Sequence, residues 1–232
     1  MPVHVVLIGP AHPLRGGLAS FDQRLAKAFN DQGDTCSIYS FSLQYPSFLF
    51  PGTTQYTSEP APADLDIHTR INSINPLNWI SVGEELRKKR PDLIVVRYWL
   101  PFMGAALGTI LRRVRKNKHT RIVAITDNVI PHEKRPGDVA LTRYFLNSCD
   151  AFVTMSEKVM KDLRTFEPSK PAKQVLHPLY DNFGDPVPQT ESRAKLNLPP
   201  DQKIVLFFGF IRKYKGLDLL FDAVKLLQDK YP

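Results

Sequence analysis

Between residues 3 and 179, short apolar runs alternate with segments whose apolar residues recur at helical spacing. The runs are VHVVLIGP (3–10), TCSIYSF (35–41), DLIVVRYW (92–99), RIVAITDN (121–128), AFVTMS (151–156) and KQVLHPL (173–179). Each is apolar along most of its length rather than on alternate residues, as in strands buried on both faces of a parallel sheet. Between them, Leu18, Phe21, Leu25 and Phe29 mark one helix, which Gly33 is placed to end. Leu107, Ile110, Leu111 and Val114 mark a helix over 102–116, and further helices are predicted near 79–89, 139–147 and 156–166. Strands alternating with helices predict a doubly wound α/β domain with a Rossmann-like parallel sheet. Residues 44–64 are rich in Pro, Ser and Thr and predict a long surface loop.

The domain is expected to span 1–182, with a linker over 183–202. Residues 181–201 carry four prolines and little apolar pattern. A new strand (203–208), a basic Gly-containing loop and an amphipathic helix (217–227) follow. One strand and one helix bury too little surface to stand alone. Residues 203–232 therefore read as the opening of a second, incomplete Rossmann-like domain, cut by the stop at Pro232.

Hydrophobic residues make up 43% and charged residues 23%, a soluble globular balance. No apolar run approaches the length of a membrane span and the start lacks a secretory signal pattern, so a cytoplasmic protein is expected. Cys36 and Cys149 are expected to be buried free thiols. The histidines and cysteines lack zinc spacing, and no nucleophile elbow is present. A formal charge of +8 favours an anionic partner. The basic run RRVRKNKH (112–119) has no interleaved aromatics, which argues against nucleic acid. It is expected to form a solvated helix end, able to rest on anionic lipid at the inner face of a membrane.

Ligands of open α/β sheets bind beyond the carboxyl ends of the strands. Four loops there carry chemistry. Gly16 and Gly17 precede a helix, where backbone N–H groups can approach an anion, or simply form a turn. Asp127, Asn128, His132 and Glu133 crowd after one strand, either as turn formers or as groups that bind hydroxyls and handle protons. Arg97 closes an apolar run and needs a partner or an opening to water, while Trp99 and Phe102 read as packing. Arg212, Lys213 and Lys215 stand before a helix amino terminus, against the helix dipole unless an anion offsets them.

These features together resemble the GT-B-fold glycosyltransferases of family 4. The similarity is carried by the Gly-Gly loop, CDAFVTMSEKVMKDL (149–163), HPLYDNF (177–183) and above all FFGFIRKYKGLDLLFDAVKLL (207–227). It implies a retaining, metal-independent enzyme whose acceptor-side half comes first and whose nucleotide-sugar half begins at 203. The donor is a nucleotide-diphosphate sugar, no further cofactor is implied, and the acceptor is a cell-envelope glycan or lipid-linked molecule. By resemblance, Gly16, Gly17 and Lys215 lie near the donor diphosphate. Where the family often has a cation this chain has Phe210, so Arg212 takes that role. Asp127 stands where many relatives have a histidine near the reacting sugar, with His132 five residues on, and both are catalytic candidates. Arg97, Asn128 and Glu133 are candidates for substrate contacts. Two other readings stay open on the sequence: a nucleotide-sugar epimerase of the same architecture, and a non-catalytic module that binds a glycan or anion.

Overall fold

The computed structural model describes residues 2–46, 54–131, 135–181, 184–209, 211 and 213–228. The chain divides into two compact units, Met1–Asn182 and Phe183–Pro232.

The first unit is a sheet of seven parallel strands: β1 (His4–Ile8), β2 (Thr35–Leu43), β3 (Asp66–Asn72), β4 (Leu93–Tyr98), β5 (Arg121–Thr126), β6 (Ala151–Thr154) and β7 (Ala172–Gln174). Their order is β3-β2-β1-β4-β5-β6-β7, so the direction of winding reverses between β1 and β4. The helices are α1 (Gly17–Asp31), α2 (Pro76–Lys89), α3 (Met103–Val114), α4 (Asp138–Leu146) and α5 (Glu157–Phe166). A 3-10 turn, Arg115–Asn117, extends α3.

The two faces of the sheet are covered unequally. Alternation along β1 and β4 sends Val6, Ile8, Ile94 and Val96 to one face, where α2 to α5 bury them. Val5, Leu7 and Val95 point to the other face, which α1 covers with Phe21, Leu25, Ala26 and Phe29. Beyond α1 that second face continues as an apolar trough of about 410 Å³, floored by Val95, Val123, Ile125, Val153 and Met155. Cys36 and Cys149 are both buried free thiols; burial pushes Cys36 up to about 11 and Cys149 higher still.

Several expectations need correction. β3 joins the sheet although its sequence, DIHTRIN, is polar; it is an edge strand that buries Ile71 and packs the partly buried Ile67 against the other face. The run 173–179 gives a strand only over 172–174, and Val175, Leu176 and Leu179 beyond it are exposed. Pro178 has no N–H to donate to a ladder, and β7 is the last strand of the sheet.

In the second unit, α6 (Gln189–Lys195) occupies the stretch expected to be a linker. Residues 203–208 form no strand: among the described residues none pairs with them, and Val205, Leu206 and Phe208 stay exposed. Helix α7 (Leu217–Gln228) forms where expected and exposes Leu219, Phe221 and Leu226.

Candidate active site

The carboxyl ends of β1 and β4 meet where the winding reverses, the place where open α/β sheets bind ligands. Gly9 leaves β1 here, and its N–H donates to the Tyr39 carbonyl at 3.3 Å. The chain then runs to Gly16, whose φ of 113° is open to glycine but strained for other residues. Gly16 precedes α1 without a side-chain cap, and the first turn of α1 holds no acidic residue. The free N–H groups at this end therefore keep their attraction for an anion. A small polar cleft of about 110 Å³ lies beside the turn, lined among others by His12, Arg15, Gly16 and Gln23.

Arg97, near the end of β4, is the centre of the site. It is 2% exposed, and its guanidinium donates from Nε to Asp127 Oδ2 and from Nη2 to Asp127 Oδ1, both at 2.6 Å. Its flat face lies over the Phe21 ring, 4.1 Å from the centroid. The remaining nitrogen, Nη1, faces Asp22 Oδ1 at 3.5 Å. Asp22 comes from the second turn of α1 and is 1% exposed. Neither of its oxygens has a hydrogen-bond partner among the described residues. A Cβ at position 9 would stand 2.2 Å from Asp22 Oδ2, so the carboxyl occupies space that only a glycine leaves free.

Two acids thus share one buried cation. With Arg97 and Asp127 charged, an ionised Asp22 would leave an uncompensated buried charge. Burial holds the Asp22 carboxyl well above the usual carboxylate range, and repulsion from Asp127 adds to this against the pull of Arg97. Burial also raises Asp127, with Arg97 and the more distant His177 opposing it. The arrangement is an Arg97–Asp127 ion pair with Asp22 behind it, its proton held more tightly than an exposed carboxyl would hold one. Asp127 forms the outer edge, its side chain 16% exposed and its N–H fixed on the Tyr98 carbonyl at 2.8 Å. It can still accept hydrogen bonds through lone pairs that Arg97 leaves free.

The segment 177–181 crosses the same end of α1. The His177 ring meets Phe21 edge-on at 5.5 Å, and Tyr180 lies 5.5 Å from His177. The Tyr180 hydroxyl donates to the Gly17 carbonyl at 3.4 Å. Arg24 grips Asp181 with both arms, Nε to Oδ1 at 2.8 Å and Nη2 to Oδ2 at 2.7 Å.

Of the sequence candidates, Gly16, Gly17, Arg97 and Asp127 gather at this end of the sheet, and half-buried Asn128 follows Asp127 directly. His132, Glu133 and Arg212 lie outside the described residues. Lys215 belongs to the second unit, exposed at the end of a 3-10 turn (Lys213–Lys215) that leads through Gly216 into α7. Sequence reasoning gave no site role to Asp22, Phe21, His177 or Tyr180, although Phe21 marked a helix and His177 and Tyr180 lie in the HPLYDNF stretch. Asp22 had a legible signal: an acid between Leu18 and Ala26, four residues from each, on the helix face that packs.

A parallel sheet with an uncapped Gly-Gly helix start and an ion-paired acid at its switch point defines the class: a Rossmann-like α/β protein that binds its ligand at the carboxyl edge of the sheet. The chain belongs to Glycosyltransferase Family 4, whose model matches residues 15–178. Among solved structures, it is similar to the catalytic domain of starch synthase IV from Arabidopsis thaliana, bound to ADP and acarbose. There the TM-score is 0.60 at 13% identity, covering 99% of this chain and 67% of that one. A sucrose-phosphate synthase from Thermosynechococcus elongatus matches at 14% identity and a TM-score of 0.43, over 78% of this chain and 91% of that one. No curated protein sequence matches. Among the described residues, no helix is long and apolar enough to cross a membrane.

Proposed function

We propose that the protein transfers a sugar from a nucleotide-diphosphate sugar to a cell-envelope glycan or lipid-linked acceptor, with retention at the anomeric carbon and without a bound metal. The observation that carries this reading is Asp127: a carboxylate locked by Arg97, with one edge open, at the switch point beside the Gly-Gly turn. Asp127 accepts a hydrogen bond from a hydroxyl of the reacting sugar, and His132 is assigned the second catalytic role. Arg97 acts on substrate through Asp127, while Asn128 and Glu133 take further substrate contacts. Gly16 and Gly17 are assigned to the donor diphosphate through their backbone N–H groups, and Lys215 and Arg212 through their charge. The bond that breaks joins the anomeric carbon to a diphosphate oxygen, so cations that meet the departing negative charge favour the step. The ADP carried by the starch synthase relative accords with a nucleoside diphosphate as that leaving group. The reading calls for no cofactor beyond the donor. A lipid-linked acceptor would bring the protein to the cytoplasmic face of an anionic membrane.

Residues 1–232 alone are expected to be inactive, because most donor contacts would lie in a complete nucleotide-sugar half. The test is therefore proton NMR of this chain joined to such a half, turning over a panel of nucleotide sugars with glycolipid extract as acceptor. The expected product keeps the donor's anomeric configuration, forms equally in EDTA, and is lost in Asp127→Ala. Inversion, or dependence on added divalent metal, would overturn the mechanism.

A further inference from the structure

The amino-terminal edge of the sheet, opposite Arg97 and Asp127, is strongly cationic. Two basic segments 25 residues apart, RKKR (87–90) and RRVRKNKHTR (112–121), together hold ten Lys and Arg and no acidic residue. The fold stitches them into one surface. Arg90 Nη1 donates to the Asn117 carbonyl at 3.1 Å, and the Asn117 amide donates to the Arg87 carbonyl at 3.5 Å. Thr120 Oγ1 donates to the Pro91 carbonyl at 2.6 Å. Asn117 and Thr120 are buried, so the junction is fixed, while Lys88, Arg90, Lys116, Lys118 and Arg121 around it are exposed.

Local needs account for some of these charges. Arg87 pairs with Glu84, Arg115 with Asp150, and Arg112 covers the Tyr144 ring. The carboxyl ends of α2 and α3 each carry about half a negative charge, which one or two cations offset. Lys88, Lys116, Lys118 and Arg121 form no ion pair among the described residues. Like charges crowded on one surface repel, and an anionic partner relieves that repulsion.

We infer that this pole docks the protein on an anionic phospholipid surface. The patch is built of long, flexible side chains on two helix ends, and the aromatic ring beside it, Tyr144, is covered by Arg112, so lipid fits it better than nucleic acid. Docking there holds the candidate active site away from the bilayer. Six residues of β4 separate the two edges, a rise of about 20 Å at 3.3 Å per residue. The membrane placement deepens the reading above, and the acceptor it suits is one whose reactive end stands clear of the headgroups.

The test is cosedimentation of the full chain with vesicles of phosphatidylcholine alone or with 30% phosphatidylglycerol, at about 50 and 500 mM salt. Binding is expected only to the anionic vesicles at low salt. The variant K88E/K116E/K118E/R121E should weaken it about a hundredfold at an unchanged melting temperature. A control with the same number of reversals elsewhere, K158E/K173E/K195E/K225E, should bind far better than the pole variant. Equal binding to uncharged vesicles, equal losses in both variants, or tighter binding to a DNA duplex at the same salt would overturn the proposal. No sugar is present, so failure here leaves the transferase reading untouched.

Discussion

Asp22 and Asp127 approach the same guanidinium from opposite sides, yet only Asp127 is hydrogen-bonded to it. Asp127 takes two bonds of 2.6 Å from Arg97, whereas Asp22 stands 3.5 Å from the remaining nitrogen with no partner for either oxygen among the described residues. The difference assigns roles. Asp127, at the rim, is the carboxylate available to a ligand, and Asp22, at the back, is a buried wedge against which Arg97 rests.

Removing the cation should therefore cost more than removing an ordinary core side chain. Arg97→Met leaves Asp127 charged and mostly buried, the situation in which breaking a buried pair costs about 3–5 kcal/mol. For a unit of this size the melting temperature should fall by about 10 °C. Arg97→Met/Asp127→Leu, which removes both charges, should recover much of the loss. If the double variant were as unstable as the sum of the singles, the pair would not be the source.

Asp22 also gives stability a pH dependence of definite sign. Its folded pKa is raised by burial, so the folded chain keeps a proton that the unfolded chain releases above about pH 4. This contribution is fully present below that pH and is lost as pH rises toward the folded pKa. In Asp22→Asn the slope disappears. The unfolding free energy of the variant should thus gain on that of the parent between pH 4.5 and 7.5 in urea titrations. Parallel curves would mean that Asp22 is ionised in the fold.

Arg97 was legible in the sequence as a charge closing an apolar run, but the identity of its partners was not. Asp127 reads as one of four turn residues, and Asp22 shows in the sequence only as an acid on the helix face that packs. Only the crossing of α1 over the end of β4 makes them neighbours. The sheet followed a similar rule. Strands buried on both faces announced themselves, while β3, half exposed at the edge, did not. The run 203–208 has the composition of a strand and lacks the pairing that would make it one. Helix α6 has no buried residue and hence no apolar period to find.

Gly9 follows from the same cluster. In Gly9→Ala the new methyl would lie 2.2 Å from Asp22 Oδ2 and 3.1 Å from Arg97 Cβ, and both of those side chains are buried. Overpacking of this kind costs about 1–3 kcal/mol. Asp22→Ala should relieve it by emptying the site the methyl needs. The double variant is expected to be more stable than the two single losses added together, as read by denaturant unfolding. Additive losses would place the strain elsewhere, in the backbone of the turn.

The Arg24–Asp181 pair should behave in the opposite way, as a local tie with no global weight. Both side chains are largely exposed, at 42% and 59%, so the pair adds little to overall stability. Its geometry is nevertheless bidentate, and the segment it ends carries His177 onto Phe21 and Tyr180 onto Gly17. Leu176 and Leu179 are exposed, so few apolar contacts hold the segment otherwise. Asp181→Ala should leave the melting temperature where it is and speed amide exchange in peptides covering 175–181, with β4 and β5 unchanged. Because Tyr180 covers the Gly17 carbonyl, exchange at the first turn of α1 should rise with it. Faster exchange at 175–181 with no change at Ser20, whose N–H donates to the Gly16 carbonyl, would mean that Tyr180 rests on the turn without holding it.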